Sequence, residues 1–344
     1  MHDSTSPQNR IDWIDTAKGF GMLLVIFNHV CLFCGLKELR LFNVVISDFI
    51  NSFHMPLFFS ISGMFFKSYE SFLIFTKKKT NSLFIPFLFF YVVFSIIIPY
   101  ITILVGGHYP YINNQTRLTE LIFDFYQNDC QLVNGALWFM LCLFEINFIS
   151  YYLHAHIKNE KYIYLISTII GFSGLLLCYF SINLPMCIDT AFSCLPYFWF
   201  GYYIKNRTKI MQQVNNKHMI VLIVSLLFVV ATIARHVEYY KNFFYNSSYY
   251  TAHITGLAGS MMIIFLSKLY KRIPIVSYIG RYSIVILCTH IILLKLYLPL
   301  TRNYFPSTQC LLIVFALIII SELILTPLFI KYLPHVTAQK NLFN

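Results

Sequence analysis

Long apolar runs separated by short polar breaks make up the chain from about residue 18 to residue 333. About 20 apolar residues in an α-helix cross the ~30 Å hydrocarbon core of a bilayer. Ten runs are candidate spans, at residues 19–36, 44–66, 83–105, 136–153, 161–181, 187–204, 218–234, 252–268, 274–298 and 310–331. The pattern predicts an all-α integral membrane protein, a bundle of about ten transmembrane helices that forms a single domain over residues 1–344.

The overall composition supports a membrane protein. Hydrophobic residues make up 58% of the chain and charged residues only 11%, whereas a soluble domain carries about 25% charged residues. The polar N-terminus lacks the charged n-region, short apolar region and cleavage site of a secretory signal. We therefore interpret the first apolar run as a retained span, and we expect no separate soluble domain.

The distribution of positive charge predicts the orientation of the helices. The chain has a formal net charge of +11 and 25 Lys and Arg residues. When the ten spans alternate, 18 of these cations fall on the side that carries both termini and 7 on the other. The positive-inside rule then predicts that both termini are cytoplasmic. The excess of basic residues is therefore explained by the orientation of the helices in the membrane, where lipids surround the protein. No nucleic-acid partner is expected.

The nine cysteines do not predict a disulfide framework. Their number is odd and most lie within apolar runs. Cys31 and Cys34 form a C-x-x-C pair, but the chain lacks a second zinc-type pair and a thioredoxin-like context. We interpret both as small apolar side chains, and no metal site is predicted.

The longest non-cytoplasmic segment, Gly106–Gly135, is too polar to cross the bilayer. Its Tyr, Asn, Gln and Asp residues suit a sugar ligand through hydrogen bonding and stacking. A solvated loop with interfacial aromatic residues explains the same composition and is the simpler interpretation.

Several ionisable residues fall within the predicted spans. Burying such groups in a membrane is costly, so they usually face a protein interior or a water-filled cavity. These residues are His29, Asp48, His54, Glu145, Arg281, His290 and Glu322. A bundle that served only as an anchor would not need them, whereas a transporter or an enzyme would.

Lys18 and His29 lie on one face of the first helix. Eleven residues at about 100° each make three turns plus about 20°, which places the two side chains about 16 Å apart along the axis. His54 in the antiparallel second span lies at a similar depth. A ligand that reached both Lys18 and His29 would be long and thin with an anionic end, as the pantetheine arm of coenzyme A is. The alternatives are a helix-to-helix hydrogen bond for His29 and a topology anchor for Lys18.

The segments RIDWIDTAKGFGMLLVIFNHV and FHMPLFFSISGMFF resemble the opening of the membrane-bound acyltransferase 3 family, the bacterial O-acyltransferases that modify envelope polysaccharides. Lys18 and His29 match its first-helix motif of a basic residue, ten further residues and a histidine. The segments GALWFMLCLFE, IDTAFSCLPYFWFGYYIKN and YIGRYSIVILCTHIILL continue the resemblance in order along the chain.

The resemblance implies transfer of an acyl group, most often acetyl, from acyl-CoA to a hydroxyl of a cell-envelope or exported glycan, lipid-linked or free. It implies a multi-pass protein of the bacterial cytoplasmic (inner) membrane, with acyl-CoA as co-substrate and no tightly bound cofactor. His29 would be the general base, because a positioned imidazole can take the proton of an attacking hydroxyl.

The acyl-CoA phosphates would be bound by Lys18 and Lys79. Arg281 either reaches the same phosphate site or extends its side chain to the membrane interface. The family often has two basic residues three apart before the third span, and here Ser82 stands at the second position. Lys77 and Lys78, in the predicted cytoplasmic loop KKKTN, are the residues that can compensate.

Other residues of these segments are assigned supporting or pocket roles. Asp15 either orients Lys18 or favours the helix N-terminus by its charge. Asn28 is a candidate to polarise the thioester carbonyl. His54 either orients His29, lines the pocket or makes a hydrogen bond within the bundle.

Three more residues complete the predicted set. Trp138, at the outer end of its span, is assigned to the aromatic belt in preference to a sugar platform. Glu145 and His290 are candidates for the cavity wall.

The alternative function is a polytopic transporter or flippase of a glycan or anionic solute, which would also carry ionisable groups near the membrane midplane.

Overall fold

The computed structural model describes residues 11–35, 40–69, 71–104, 118–127, 130, 134–207, 215–235 and 249–343. Regular structure in this part of the chain is entirely helical. Nine of its helices are long and apolar enough to cross a membrane. The predicted all-α membrane class is confirmed. Within the predicted polar segment, residues 106–135, the part at 118–127 forms a helix and not a loop. Residues 106–117, 128–129 and 131–133 lie outside the described residues.

The helices run in chain order as α1 (Asp12–Cys34), α2 (Arg40–Asn51), α3 (His54–Met64), α4 (Phe72–Leu104), α5 (Leu118–Gln127), α6 (Trp138–His156), α7 (Glu160–Tyr179), α8 (Ile188–Arg207), α9 (Asn216–Ile233), α10 (Tyr249–Tyr270), α11 (Pro274–Arg281), α12 (Ser283–Arg302) and α13 (Ser307–Tyr332).

Nine of the ten predicted runs coincide with a candidate span. The remaining run, 187–204, forms α8, which has the length of a span but is less apolar than the other nine. Most residues of α8 are buried against other helices. Residues that do not face lipid need not be apolar, which explains the lower hydropathy of α8.

Two runs predicted as single helices are interrupted. The run at 44–66 is divided into α2 and α3 at Ser52 and Phe53, and the run at 274–298 into α11 and α12 at Tyr282. In the first break, the Ser52 hydroxyl donates to the Phe49 carbonyl at 2.8 Å. Side-chain hydrogen bonds of this kind compete with the helical ladder and do not interrupt the hydropathy pattern.

The prediction that KKKTN forms a loop is wrong. Lys77, Lys78 and Lys79 lie inside α4, which begins at Phe72 and includes π-helical turns at Thr80–Phe84 and Val92–Ile97. Lysine is a good helix former, and its long side chain reaches a polar surface while its stem stays on the helix.

Asn81, in the first π-helical turn of α4, binds the segment that follows α13. Its Nδ2 donates to the Phe343 carbonyl at 2.8 Å, and its Oδ1 accepts from the backbone N–H groups of Leu342 and Phe343 at 2.8 and 3.0 Å. Asn81 is buried. These three bonds fasten the chain after α13 to the turn that directly follows Lys79.

The backbones of α3 and α8 touch. A Cβ atom at Gly63 would lie 1.8 Å from the Phe198 carbonyl oxygen, and one at Gly201 would lie 1.8 Å from the Ser60 carbonyl oxygen. The Ser60 hydroxyl also donates to the Tyr197 carbonyl at 3.1 Å. Small residues that let backbones approach are a common device for packing membrane helices.

Candidate active site

One face of α1 connects the two residues singled out from the sequence. Lys18, Met22, Val25 and His29 are spaced by four, three and four residues, so they follow one another along the same side of the helix. The helix α11 packs tightly against the start of this face. A Cβ atom at Gly280 would lie 1.8 Å from the Asp15 carbonyl oxygen.

A cavity of about 300 Å³ opens beside this face and contains both predicted phosphate-binding lysines. Lys18 of α1 and Lys79 of α4 line it together. Ser82, the residue at the second basic position of the family pattern, lines it as well. The rest of the wall is formed mostly by apolar residues of α3, α6 and α12, namely Phe58, Ile61, Ser62, Phe65, Leu83, Phe139, Met140, Leu143, Asn147, Ser283, Ile284 and Leu287.

The wide mouth of this cavity is positively charged. The Nζ atoms of Lys18 and Lys205 lie 5.8 and 5.0 Å from the ring centre of Phe65, which is itself part of the wall. Lys67 is close enough to Lys205 for their charges to repel. We call this region, defined by Lys18, Lys79 and Lys205, the basic end of the bundle.

A narrower space of about 30 Å³ adjoins the cavity on the side towards His29. It is lined by Met22 and Val25 of α1 and by Met55 of α3, and it shares five wall residues with the larger cavity. The volume corresponds to about one water molecule. The described cavities therefore lead along α1 from Lys18 and end one helical turn before His29.

His29 lies in a group of three histidines from different helices. Its ring centre is 5.4 Å from that of His290 in α12, with the ring planes tilted by 42°. His54 of α3 is close enough to interact electrostatically with His29. His54 and His290 are buried and His29 is partly buried. The fold thus brings together three histidines that are far apart in the sequence.

The two neighbours of His29 are held in the same way. The Nδ1 of His54 lies 2.9 Å from the Ile50 carbonyl, and the Nδ1 of His290 lies 2.9 Å from the Ile286 carbonyl. A carbonyl oxygen only accepts, so Nδ1 carries the proton in both rings. In the neutral ring, Nε2 is then a hydrogen-bond acceptor.

Two further polar pairs lie in the bundle. Asn28 donates from Nδ2 to the Oδ1 of Asn51 at 2.8 Å, and its own Oδ1 is buried without a hydrogen-bond partner. This bond ties α1 to α2 and engages the amide that was assigned to the thioester carbonyl. Glu322 of α13 accepts a hydrogen bond from the hydroxyl of Thr289 at 2.6 Å, and Thr289 directly precedes His290 in the chain.

Arg281, Glu145 and Asp15 are not part of the described cavity wall. Arg281 is exposed at the end of α11, with its guanidinium carbon 5.1 Å from the Tyr282 ring centre. Glu145 is partly buried and is not part of the wall among the described residues. Asp15 is partly buried next to Gly280 and has an interaction partner.

The assignment of Trp138 to the aromatic belt is wrong. Its side chain is 7% exposed and packs against the rings of Phe59 and Phe139 at centroid distances of 6.4 and 6.3 Å. A tryptophan at the end of a span fits a belt and a core equally well by sequence, and only the neighbouring helices decide between them.

The polar residues of the cavity wall that were not predicted are Ser62, Asn147 and Ser283. Asn147 of α6 is buried, its Nδ2 donates to the Leu143 carbonyl at 2.7 Å, and its Oδ1 has no hydrogen-bond partner. Ser283 begins α12 directly after the break at Tyr282. An amide within an apolar run was the available signal for Asn147, and Gly280 and Arg281 within the run predicted at 274–298 were the signal for the break before Ser283.

The fold and this site define a multi-pass helical membrane protein with a cation-lined cavity that leads towards buried histidines. Within the described residues, no group of three or more His, Cys, Asp or Glu side chains is arranged to hold a metal ion. The model of the acyltransferase 3 family, described as an acyltransferase domain, matches residues 11–326, which is nearly the whole chain. The chain belongs to this family of membrane acyltransferases. No curated protein and no solved structure gives a significant match.

Proposed function

We propose that this protein is an O-acyltransferase of the bacterial cytoplasmic membrane that moves an acetyl group from acetyl-CoA to a hydroxyl of a cell-envelope or exported glycan. The donor enters at the basic end, which faces the cytoplasm by the positive-inside rule. The acceptor approaches His29 from the opposite end of the bundle.

The observation that carries the proposal is the shared cavity of Lys18 and Lys79. Two cations from different helices line one space. The face of α1 that carries Lys18 continues through Met22 and Val25, which line the narrow space, to His29. A wide cationic mouth with a narrow apolar continuation matches a molecule with phosphates at one end and a thin chain at the other.

The coenzyme A molecule fits this layout with its nucleotide outside and its arm inside. Lysine ammonium groups bind phosphate as point charges. The narrow space holds about one water, so entry of the pantetheine arm requires side chains to move. Met22 and Met55 line this space, and methionine is the apolar side chain most easily rearranged.

His29 performs the proton transfer in this reaction. The imidazole takes the proton of the acceptor hydroxyl while the hydroxyl oxygen attacks the thioester carbonyl carbon. The tetrahedral intermediate then expels the sulfur, and the imidazolium returns the proton to it. One C–O bond forms and one C–S bond breaks, giving an acetyl ester and free coenzyme A.

We expect replacement of either cavity lysine to weaken donor binding selectively. Lys18→Ala and Lys79→Ala should each raise the KM for acetyl-CoA about tenfold with little change in kcat, since a hydrogen bond to a charged group contributes about 1.5–3 kcal/mol. Steady-state kinetics in nanodiscs at several donor concentrations measures this. Increasing the ionic strength should raise the KM of the wild type more than that of the variants.

Lys78→Ala is the matched control for the two cavity lysines. Lys78 was a candidate to compensate for Ser82, but its Nζ lies 4.3 Å from the Tyr69 ring centre and it is not part of the described cavity wall. We therefore no longer expect it to contact the donor. Arg281→Ala, on an exposed residue, tests the remaining predicted phosphate contact. An equal rise in KM for Lys78→Ala would show that the effect is a general loss of surface charge.

Labelled membrane vesicles test the proposed function and its sidedness. Acetyl-CoA labelled in the acetyl group and supplied outside everted vesicles should label the glycan at least about tenfold faster than in right-side-out vesicles, because coenzyme A does not cross the membrane unaided. Detergent should remove the difference. Equal labelling of intact vesicles in both orientations would contradict the proposed donor side.

The same vesicles distinguish an enzyme from a transporter. The interruptions at Ser52–Phe53 and at Tyr282 are of a kind that transporters also use. Movement of unmodified glycan across the membrane without transfer of label would support the transporter and contradict the acyltransferase. Mass spectrometry of the surface glycan, with and without the protein, should show the mass of one acetyl group.

A further inference from the structure

The ring contact between His29 and His290 joins the predicted base to a residue that the first-helix motif does not include. The centroids are 5.4 Å apart, which allows a direct N–H to N hydrogen bond after a rotation of the His29 ring. Catalytic hydrogen bonds are often long or misaligned before the substrate binds and shorten in the reacting complex.

His290 presents an acceptor at this contact. Its Nδ1 proton is engaged by the Ile286 carbonyl at 2.9 Å, so the neutral ring leaves Nε2 as an acceptor only. That Nε2 atom is buried and has no hydrogen-bond partner, and the whole side chain is 1% exposed. A buried acceptor without a partner is costly unless a donor reaches it during the working cycle.

We propose that His290 is the positioning residue for His29. Its Nε2 accepts a hydrogen bond from one ring N–H of His29, which leaves the other ring nitrogen of His29 unprotonated and directed to the acceptor hydroxyl. When His29 takes the hydroxyl proton, the same hydrogen bond stabilises the imidazolium. This inference rests on the proposed function and names the residue that prepares its base.

The surroundings favour His290 over His54 for this role. Both rings donate from Nδ1 to a backbone carbonyl four residues earlier, and both interact electrostatically with His29. Only His290 has a ring contact with His29 in the described part of the chain. His290 is also tied into α12 next to Thr289, which donates to Glu322 of α13, so its position is braced from two helices.

Kinetics in nanodiscs with labelled acetyl-CoA tests the proposal through His290→Leu and His290→Gln. We expect His290→Leu to lower kcat about 100-fold with an unchanged KM for the donor. The Gln side chain carries an amide oxygen near the place of Nε2, so His290→Gln should recover at least about tenfold of that loss. A residue that merely fills space would show no such recovery.

The decisive measurement repeats these substitutions in the His29→Ala background. Residues that act as a unit are not additive, so His290→Leu should not lower the residual rate of His29→Ala further. A further loss of the same 100-fold would overturn the proposal, as would an effect on KM alone. Thermal unfolding of each purified variant confirms folding, and His290→Gln keeps the test open if His290→Leu does not fold.

His54→Leu is the comparison variant, since His54 has the same backbone hydrogen bond and the same neighbour. Whatever factor it costs should be the same with and without His29→Ala. Coupling of His54 to His29, together with additivity of His290, would overturn the assignment. Failure of the proposed function is distinguishable, because the wild type itself would then transfer no label to the glycan.

Discussion

Replacing His29 with alanine is expected to lower kcat for acetyl transfer by about 10²–10⁴-fold, the contribution of a positioned general base. The substitution removes the only histidine, acidic or basic side chain that α1 carries beyond the narrow space lined by Met22 and Val25. The KM for acetyl-CoA should change little, because we propose that the donor phosphates bind at Lys18, about 16 Å away along α1. Transfer of label from acetyl-CoA to the glycan by purified protein in nanodiscs measures both constants.

His156→Ala is the matched control for the loss of a histidine. His156 is exposed at the end of α6, and its Nδ1 lies 2.9 Å from the Tyr152 carbonyl of its own helix. The His156→Ala variant should transfer label at the wild-type rate. Transfer at the wild-type rate by His29→Ala, with normal protein level, would remove His29 as the base. Binding of acetyl-CoA to His29→Ala, measured directly, separates loss of chemistry from loss of the donor.

Adding a methyl group at the contact of α3 and α8 is expected to have the largest effect on folding. In Gly63→Ala and Gly201→Ala, the new Cβ would lie 1.8 Å from a backbone carbonyl oxygen of the facing helix. A backbone atom cannot turn aside as a side-chain tip does, so the helices must separate and lose the bond from Ser60 to Tyr197. We expect destabilisation of about 3 kcal/mol, measured as a lower thermal midpoint in detergent.

Gly21→Ala is the control for this effect. The three atoms nearest to its added Cβ would all be side-chain atoms, Leu57 Cδ2 and two ring carbons of Phe58, each at 3.0 Å. Those atoms can shift, and alanine in a helix interior gains about 1 kcal/mol over glycine. The midpoint should therefore change little. A loss as large as that of Gly201→Ala would show that any added volume destabilises the bundle, whatever it contacts.

The helical class and most helix positions were predictable because they depend on local composition. A run of about 20 apolar residues can cross the bilayer only as a helix when every backbone group must be hydrogen-bonded internally. The relation of Lys18 to His29 was predictable for a similar reason, since both belong to one regular helix. Neither prediction required knowledge of which helices are neighbours.

The errors fall where local composition does not determine the structure. The run predicted at 274–298 crosses the short stretch Gly280–Ser283, and the structure interrupts the helix there, at Tyr282. Trp138 packs against Phe59 instead of facing lipid, although its place in the sequence suits either environment. Lys79 was predicted to lie within a loop, because three successive lysines resemble a polar break, whereas it lies inside α4.

The sequence by itself determined that the chain forms a bundle of apolar helices, with a cation and an imidazole on one face of the first, because helix formation and periodicity act within single segments. Only the tertiary structure decided that Lys79 lines the same cavity as Lys18 and that His290 meets His29. Those contacts join helices far apart in the chain, and they depend on close packing at residues such as Gly63 and Gly201, which hydropathy does not encode.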